Sequence, residues 1–260
     1  MNDALATPIE TPRGLKLDWI PGVLFTPRQI IPRIAAQARN VWLTPMLILT
    51  LTAIALVLIT GPIKRTEAML LGPQLPQGFE NYPPEQQAQI IQAAQATQGP
   101  VFIYVFPGLM AIAGVWIGWA FVGSVLHLVL TLLGGRGNTG TAMNLVAWSS
   151  LPLAVRDLVR IVLAATTQQL IKYPGLAGFA PSGTSRLDVF AGKFMALLDI
   201  YVIWQIVLLV MGVSAGNGLT RGKAIAGVLI TILLALLLQA LFGFAGTLFS
   251  GINVVRPFFF

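Results

Sequence analysis

The stretch VAWSSLPLAVRDLVRIVLAA, residues 146–165, decides how this chain is read. It is long and apolar enough to cross a bilayer, which takes roughly 20 residues of helix. Yet Arg156, Asp157 and Arg160 stand near its centre, with Pro152 just before them. A charge at mid-bilayer costs at least ~2.5–3.5 kcal/mol on insertion scales, so three within about one turn require partners, water or a headgroup in reach. Arg156 and Arg160 are spaced i,i+4 and share a helix face. Asp157 and Arg160, spaced i,i+3, can pair within the helix.

The composition around this stretch fits a membrane protein. Of 260 residues, 56% are hydrophobic and only 10% charged, where a soluble domain carries about 25% charged residues. The mean hydropathy of +0.79 agrees. The net charge of +7 is explained by basic residues that flank apolar spans and meet anionic lipid. No block of Lys and Arg interleaved with aromatics argues for nucleic acid. The absence of cysteine removes disulfides, thiolate nucleophiles and Cys-based metal sites. The single His127 cannot build a His-rich metal site, so no metal or cofactor is expected. The first ~40 residues lack the apolar core of a cleavable signal peptide.

Outward from the charged stretch, the pattern predicts an all-α polytopic membrane bundle with five transmembrane helices. Residues 1–23 read as a flexible cytoplasmic tail. Residues 24–40 read as an amphipathic helix at the membrane surface, with Ile30, Ile31, Ile34 and Ala35 on one face and the basic Arg28, Arg33 and Arg39 outside it. Spans follow at about 41–60, 101–133, 142–167, 194–213 and 224–249, and together with their connections make a membrane domain over 41–260. Gly61-Pro62 is expected to end the first span. The Gln-rich segment 84–98 predicts a polar extracytoplasmic loop helix. Span two carries Gly114 and Gly118, a GxxxG pair that permits close helix approach. Span five ends on a stripe of small residues, Gly243, Thr247 and Gly251. GGRGNTGT, residues 134–141, lacks the phosphate-loop pattern GxxxxGK[ST] and reads as a tight turn.

The basic residues weigh towards the side that holds the N-terminal segment and the two tight turns. The positive-inside rule therefore favours N-terminus in and C-terminus out. Span three then travels outward and span four returns. At ~1.5 Å rise per residue, Arg160 and Asp199 fall at similar depth. An Arg160–Asp199 contact is expected, with Arg156 as the alternative partner. The cluster Arg156, Asp157, Arg160 and Asp199 has two readings. It is an ionic clasp that fixes helix register, or a pathway for an ion or anionic solute. Transport pathways usually draw polar groups from several broken helices, and spans one and five offer almost none. Ser149 and Ser150 have no His near them, and the two Asp residues lack the companions of a membrane aspartyl protease. Enzymatic activity is not expected.

The residues also resemble a known family. WSSLP (148–152) opens one span, and LDIYVIWQIVLLVMGV (198–213) forms another, followed by LTRGKA. With five spans and an N-terminal FTPRQ segment, the chain resembles the Yip1 family of membrane proteins over residues 24–248, and its PPEQQ loop is similar to prokaryotic members. The resemblance implies five helices and a cytosolic N-terminus. Eukaryotic relatives act in vesicle traffic with Rab-type GTPases, but the short N-terminal tail here offers no GTPase-docking domain. Some bacterial relatives accompany ABC-type exporters as accessory subunits, and no catalytic residues transfer. The leading expectation is a non-enzymatic scaffold or accessory subunit of a plasma-membrane complex. Its partners would be lipids and other integral membrane proteins, ABC transporter subunits among them. A transporter or channel for a small anionic or lipid-like solute, using Arg156 and Arg160, is the alternative. A lipid-binding or membrane-shaping protein, using Arg28, Arg33 and Arg39, is the second.

Overall fold

A computed structural model describes residues 15–71, 78–96, 98–181, 183, 185–216 and 218–249. Among these the chain is helical, without strands. In order come α1 (Trp19–Phe25), α2 (Pro27–Ala35), α3 (Leu43–Leu71), α4 (Pro84–Ala96), α5 (Phe106–Leu132), α6 (Thr139–Ser149), α7 (Leu151–Thr167), α8 (Arg186–Leu197), α9 (Ile200–Gly216) and α10 (Arg221–Phe249). Three segments are long and apolar enough to cross a membrane: Leu43–Leu70, Val101–Leu132 and Arg221–Thr247. A fourth candidate is the pair α8 and α9, bent by 61° at the residues between them. The parts of the predicted tail and C-terminus at 1–14 and 250–260, including Gly251, lie outside the described residues.

The core is built around α6. Every residue from Thr141 to Ser149 except Met143 is buried. Trp148 is fully buried, its ring 5.5 Å from that of Trp19. Buried on nearly all sides, α6 packs against α2, α3, α5, α7 and α9. A second, smaller cluster joins Met46 and Leu49 of α3 to Ala147 and Ala154, under the rings of Trp42, Trp116 and Trp119.

The structure corrects four boundaries. Residues 19–25 are not part of a loose tail, because α1 buries Val23 and stacks Trp19 on the core; Pro21 is tolerated since it falls in the first turn. The apolar face of α2 meets protein instead of lipid. Ile31 and Ile34 are fully buried, and Ile31 and Ala35 lie against Gly212 and Gly216 of α9. The basic Arg28, Arg33 and Arg39 remain exposed, so amphipathicity was legible but its apolar partner was not. Third, Gly61-Pro62 does not end the first span, and α3 runs on to Leu71 with Pro62 inside it. Pro62 removes one backbone bond, but an exposed backbone in lipid would lose more. The hydroxyls of Thr60 and Thr66 bond to the carbonyls of Leu56 and Pro62 beside it.

The fourth correction concerns the opening stretch itself. It is not one helix but two, broken at Ser150. Pro152 has no N–H and its ring crowds the carbonyl four residues earlier. Beside the break the Ser149 and Ser150 hydroxyls both donate to the Val146 carbonyl, at 3.1 and 2.7 Å, which also accepts the Ser150 amide. Gln205 of α9 then donates to Ser150 Oγ at 2.9 Å in a buried site. The sequence SSLP thus encodes a patched break.

Candidate functional site

The charged residues lie on α7 beside the bend between α8 and α9. Arg156 projects to Asp199, with Nη1 3.4 Å from Oδ2, while its Nε is 3.6 Å from Asp157 Oδ1. Both distances exceed the ~2.7–2.9 Å of a tight charge-assisted bond, and the buried Nε has no hydrogen-bond partner. The ion pair is not fully sequestered, since Arg156 keeps 23% of its side-chain surface exposed and Asp199 11%. Asp157 itself is buried. The alternative contact, Arg156–Asp199, is therefore the one formed. Arg160, first choice by depth, has neither a carboxylate within ion-pair distance nor a hydrogen bond among the described residues.

Asp199 is not a mid-span acid, as the boundaries 194–213 implied. It caps α9: Oδ1 accepts the amides of Tyr201 and Val202 at 3.0 and 2.9 Å, which satisfies two donors at a helix start. One carboxylate thus caps α9 with one oxygen and faces Arg156 with the other. The bend leaves carbonyls at the end of α8 open, and the connection after α7 folds back to meet them. Leu176 N–H lies 3.0 Å from both the Met195 and Leu198 carbonyls. Gly175, with φ +57°, makes this possible; a Cβ there would meet the carbonyl oxygens of Leu198, Ala196 and Met195 at 2.6–3.0 Å.

This folding-back closes a cleft of about 130 Å³ lined by Arg156, Val159, Arg160, Asp199, residues 171 and 173–175, and Tyr201. Arg160 is half-buried at its wall. Beside it, on the same helix, a wholly aliphatic groove of about 280 Å³ is lined by Val155, Leu158, Val159, Val162 and Leu163. Val159 belongs to both.

The other candidate residues lie elsewhere. Gly114 and Gly118 are exposed on α5, and a Cβ at either would meet nothing within 4 Å. At Gly243 a Cβ would meet only the Lys193 stem. Thr247 donates to the Phe244 carbonyl within its own helix. Thus no helix among the described residues packs on the GxxxG pair.

Several polar residues that matter to the site's frame escaped notice in the sequence. Asn144 accepts the Val41 amide and donates to the Arg39 carbonyl, both at 2.9 Å. Trp148 Nε1 donates to the Val41 carbonyl at 3.0 Å. Together they pin the link between α2 and α3 to the central helix. Asn144 and Gln205 are single amides in apolar runs, which is the available signal.

A family model described as Yip1 domain matches residues 22–243. That range takes in both pinned N-terminal helix α2 and the whole Arg156–Asp199 region. No curated protein and no solved structure matches the chain.

Proposed function

For a chain that belongs to the Yip1 domain family, we propose the role of a non-enzymatic scaffold or accessory subunit in a membrane complex. The observation that carries this reading is the bareness of α5. Only 11% of its most apolar window is buried within the chain, against 33% for each of the other two long helices. Its Gly114 and Gly118 offer a shallow face on which a partner helix can approach closely. We take α6 and α7 together as one broken span and α8–α9 as another, giving five passes with the N-terminus inside and the C-terminus outside, in the plasma membrane. An ABC-type exporter subunit is the partner class to examine first. The test is gentle affinity purification of the full chain with identification of co-purifying proteins. A stoichiometric membrane partner that is lost on Gly114→Leu/Gly118→Leu, with yield and monodispersity kept, supports the scaffold. A partner retained in that variant removes the α5 face from the proposal.

A second reading has one observation in its favour. Arg160 is a half-buried cation with no carboxylate within ion-pair distance among the described residues, as a site for an anionic solute would require. Flux lost on Arg160→Gln in folded protein is its test.

A further inference from the structure

We propose that the α7 cleft and the groove beside it form one binding site for an anionic phospholipid, with the headgroup phosphate on Arg160 and an acyl chain along Val155, Leu158, Val159, Val162 and Leu163. The proposal rests on the membrane placement given above and not on the scaffold role. Two arms of an amphiphile need two surfaces that touch, and Val159 joins the cationic cleft to the aliphatic groove.

Charge complementarity selects the occupant. The four intramembrane charges sum to zero, but they are not equally engaged. Arg156 lies between Asp157 and Asp199, and Asp199 is also committed to two amides of α9. Arg160 alone is left without an acid within ion-pair distance among the described residues. An arginine fork matches phosphate oxygens in a bidentate fashion. Tyr173 and Tyr201 line the same cleft and bring phenol hydroxyls able to donate. Asp199, the only acid lining it among the described residues, is the acid already held by Arg156.

Depth is consistent. Arg160 stands about 10 Å before the end of α7 at Thr167, at ~1.5 Å per residue. Long basic side chains reach towards the interface from such positions. The groove runs over about 12 Å of the same helix by the same rise, along the helix axis and so roughly along the direction of acyl chains. Its lining residues Leu158, Val159, Val162 and Leu163 are all exposed, between 41% and 59%, so the groove is open at the protein surface.

The experiment uses the full chain purified in a neutral detergent and stripped of bound lipid. Binding is read by native mass spectrometry and by the rise in Tm, with short-chain phosphatidylglycerol, phosphatidylcholine or inorganic phosphate as probe. Phosphatidylglycerol is expected to bind and raise Tm, phosphatidylcholine to bind about tenfold more weakly, and inorganic phosphate not to register. Arg160→Gln should weaken phosphatidylglycerol about tenfold or more, the scale of one lost charge-assisted contact. Leu158→Trp/Val162→Trp, which fills the groove and leaves Arg160 in place, should do the same, and serves if Arg160→Gln does not fold. Equal binding of phosphatidylglycerol to wild type and either folded variant overturns the proposal. Equal binding of the two lipids overturns the charge argument. A shift with inorganic phosphate of the same size means a free-anion site and overturns the lipid. Because lipid is read directly on the purified chain, failure of the α5 partner test leaves these outcomes unchanged, whereas Arg160→Gln should keep any partner bound through α5.

Discussion

Asp199 shows how much one side chain can carry. Its two oxygens serve different elements, one the start of α9 and the other Arg156. Asn keeps an N-cap but removes the charge, whereas Ala removes both. Thermal unfolding of the purified chain should therefore rank wild type above Asp199→Asn and Asp199→Ala last, with the cap accounting for about 1 kcal/mol between the two variants. Equal melting of both variants would mean the cap contributes nothing. Trp148 is a different case. It is buried and hydrogen-bonded through its indole to Val41, so Trp148→Ala should cost about 3–5 kcal/mol by loss of packing alone. A tyrosine-like tolerance at this position in a substitution series would contradict that central role. At this scale the sequence was partly readable. The charges announced themselves, but the choice of Arg156 over Arg160 did not follow from depth. It depends on where Asp199 sits in a bend, and bends are set by contacts far along the chain.

Among elements, proline gave opposite results in two places. Pro62 lies inside α3, while Pro152 stands just after a break. Hydroxyls bond to nearby carbonyls at both sites; what sets the Pro152 site apart is Gln205, which adds a bond to Ser150 from another helix. Removing one member of the buried Gln205–Ser150 pair orphans the other, at about 1–3 kcal/mol. Ser150→Ala and Gln205→Leu should each destabilise by that order, and the double variant should recover part of the loss in a double-mutant cycle. Strict additivity would show that the pair is not coupled. The helix α2 docks through a close approach: a Cβ on Gly212 would run into Leu145 and crowd Ile31. Gly212→Val should therefore loosen the N-terminal helices first, seen as faster amide exchange in α2 than in α10. Long apolar runs made the three long apolar helices legible. The breaks at Ser150 and before α9 were not, because period and hydropathy average over the few residues at which a helix ends.

For the molecule as a whole, composition was enough to name the class, and α6 is the reason the class took this form. A pattern of apolar residues says that a face is buried but not against what. That is why α2 was expected on the membrane surface and is found on protein. The proposed topology has a direct check, helped by the absence of cysteine. Single cysteines at the exposed positions Gln89 and Gln169 should react with an impermeant thiol reagent in intact cells. Gly222→Cys, also at an exposed position, should react only after permeabilisation. Labelling of all three from one side would overturn the five-pass arrangement.

The burial of α6 also has a consequence in time. A helix covered by neighbours along nearly its whole length has no stable place among lipids until those neighbours exist. One of them, α9, is synthesised only after α7 and the bend that Asp199 caps. A nascent chain that has made Trp148 but not Gln205 holds an unsheltered central helix with its serine-patched break unsupported. The order of synthesis therefore makes the later helices gatekeepers of maturation. Substitutions at the α8–α9 bend should register first as chains that never reach their finished state, before any loss of what the finished protein does.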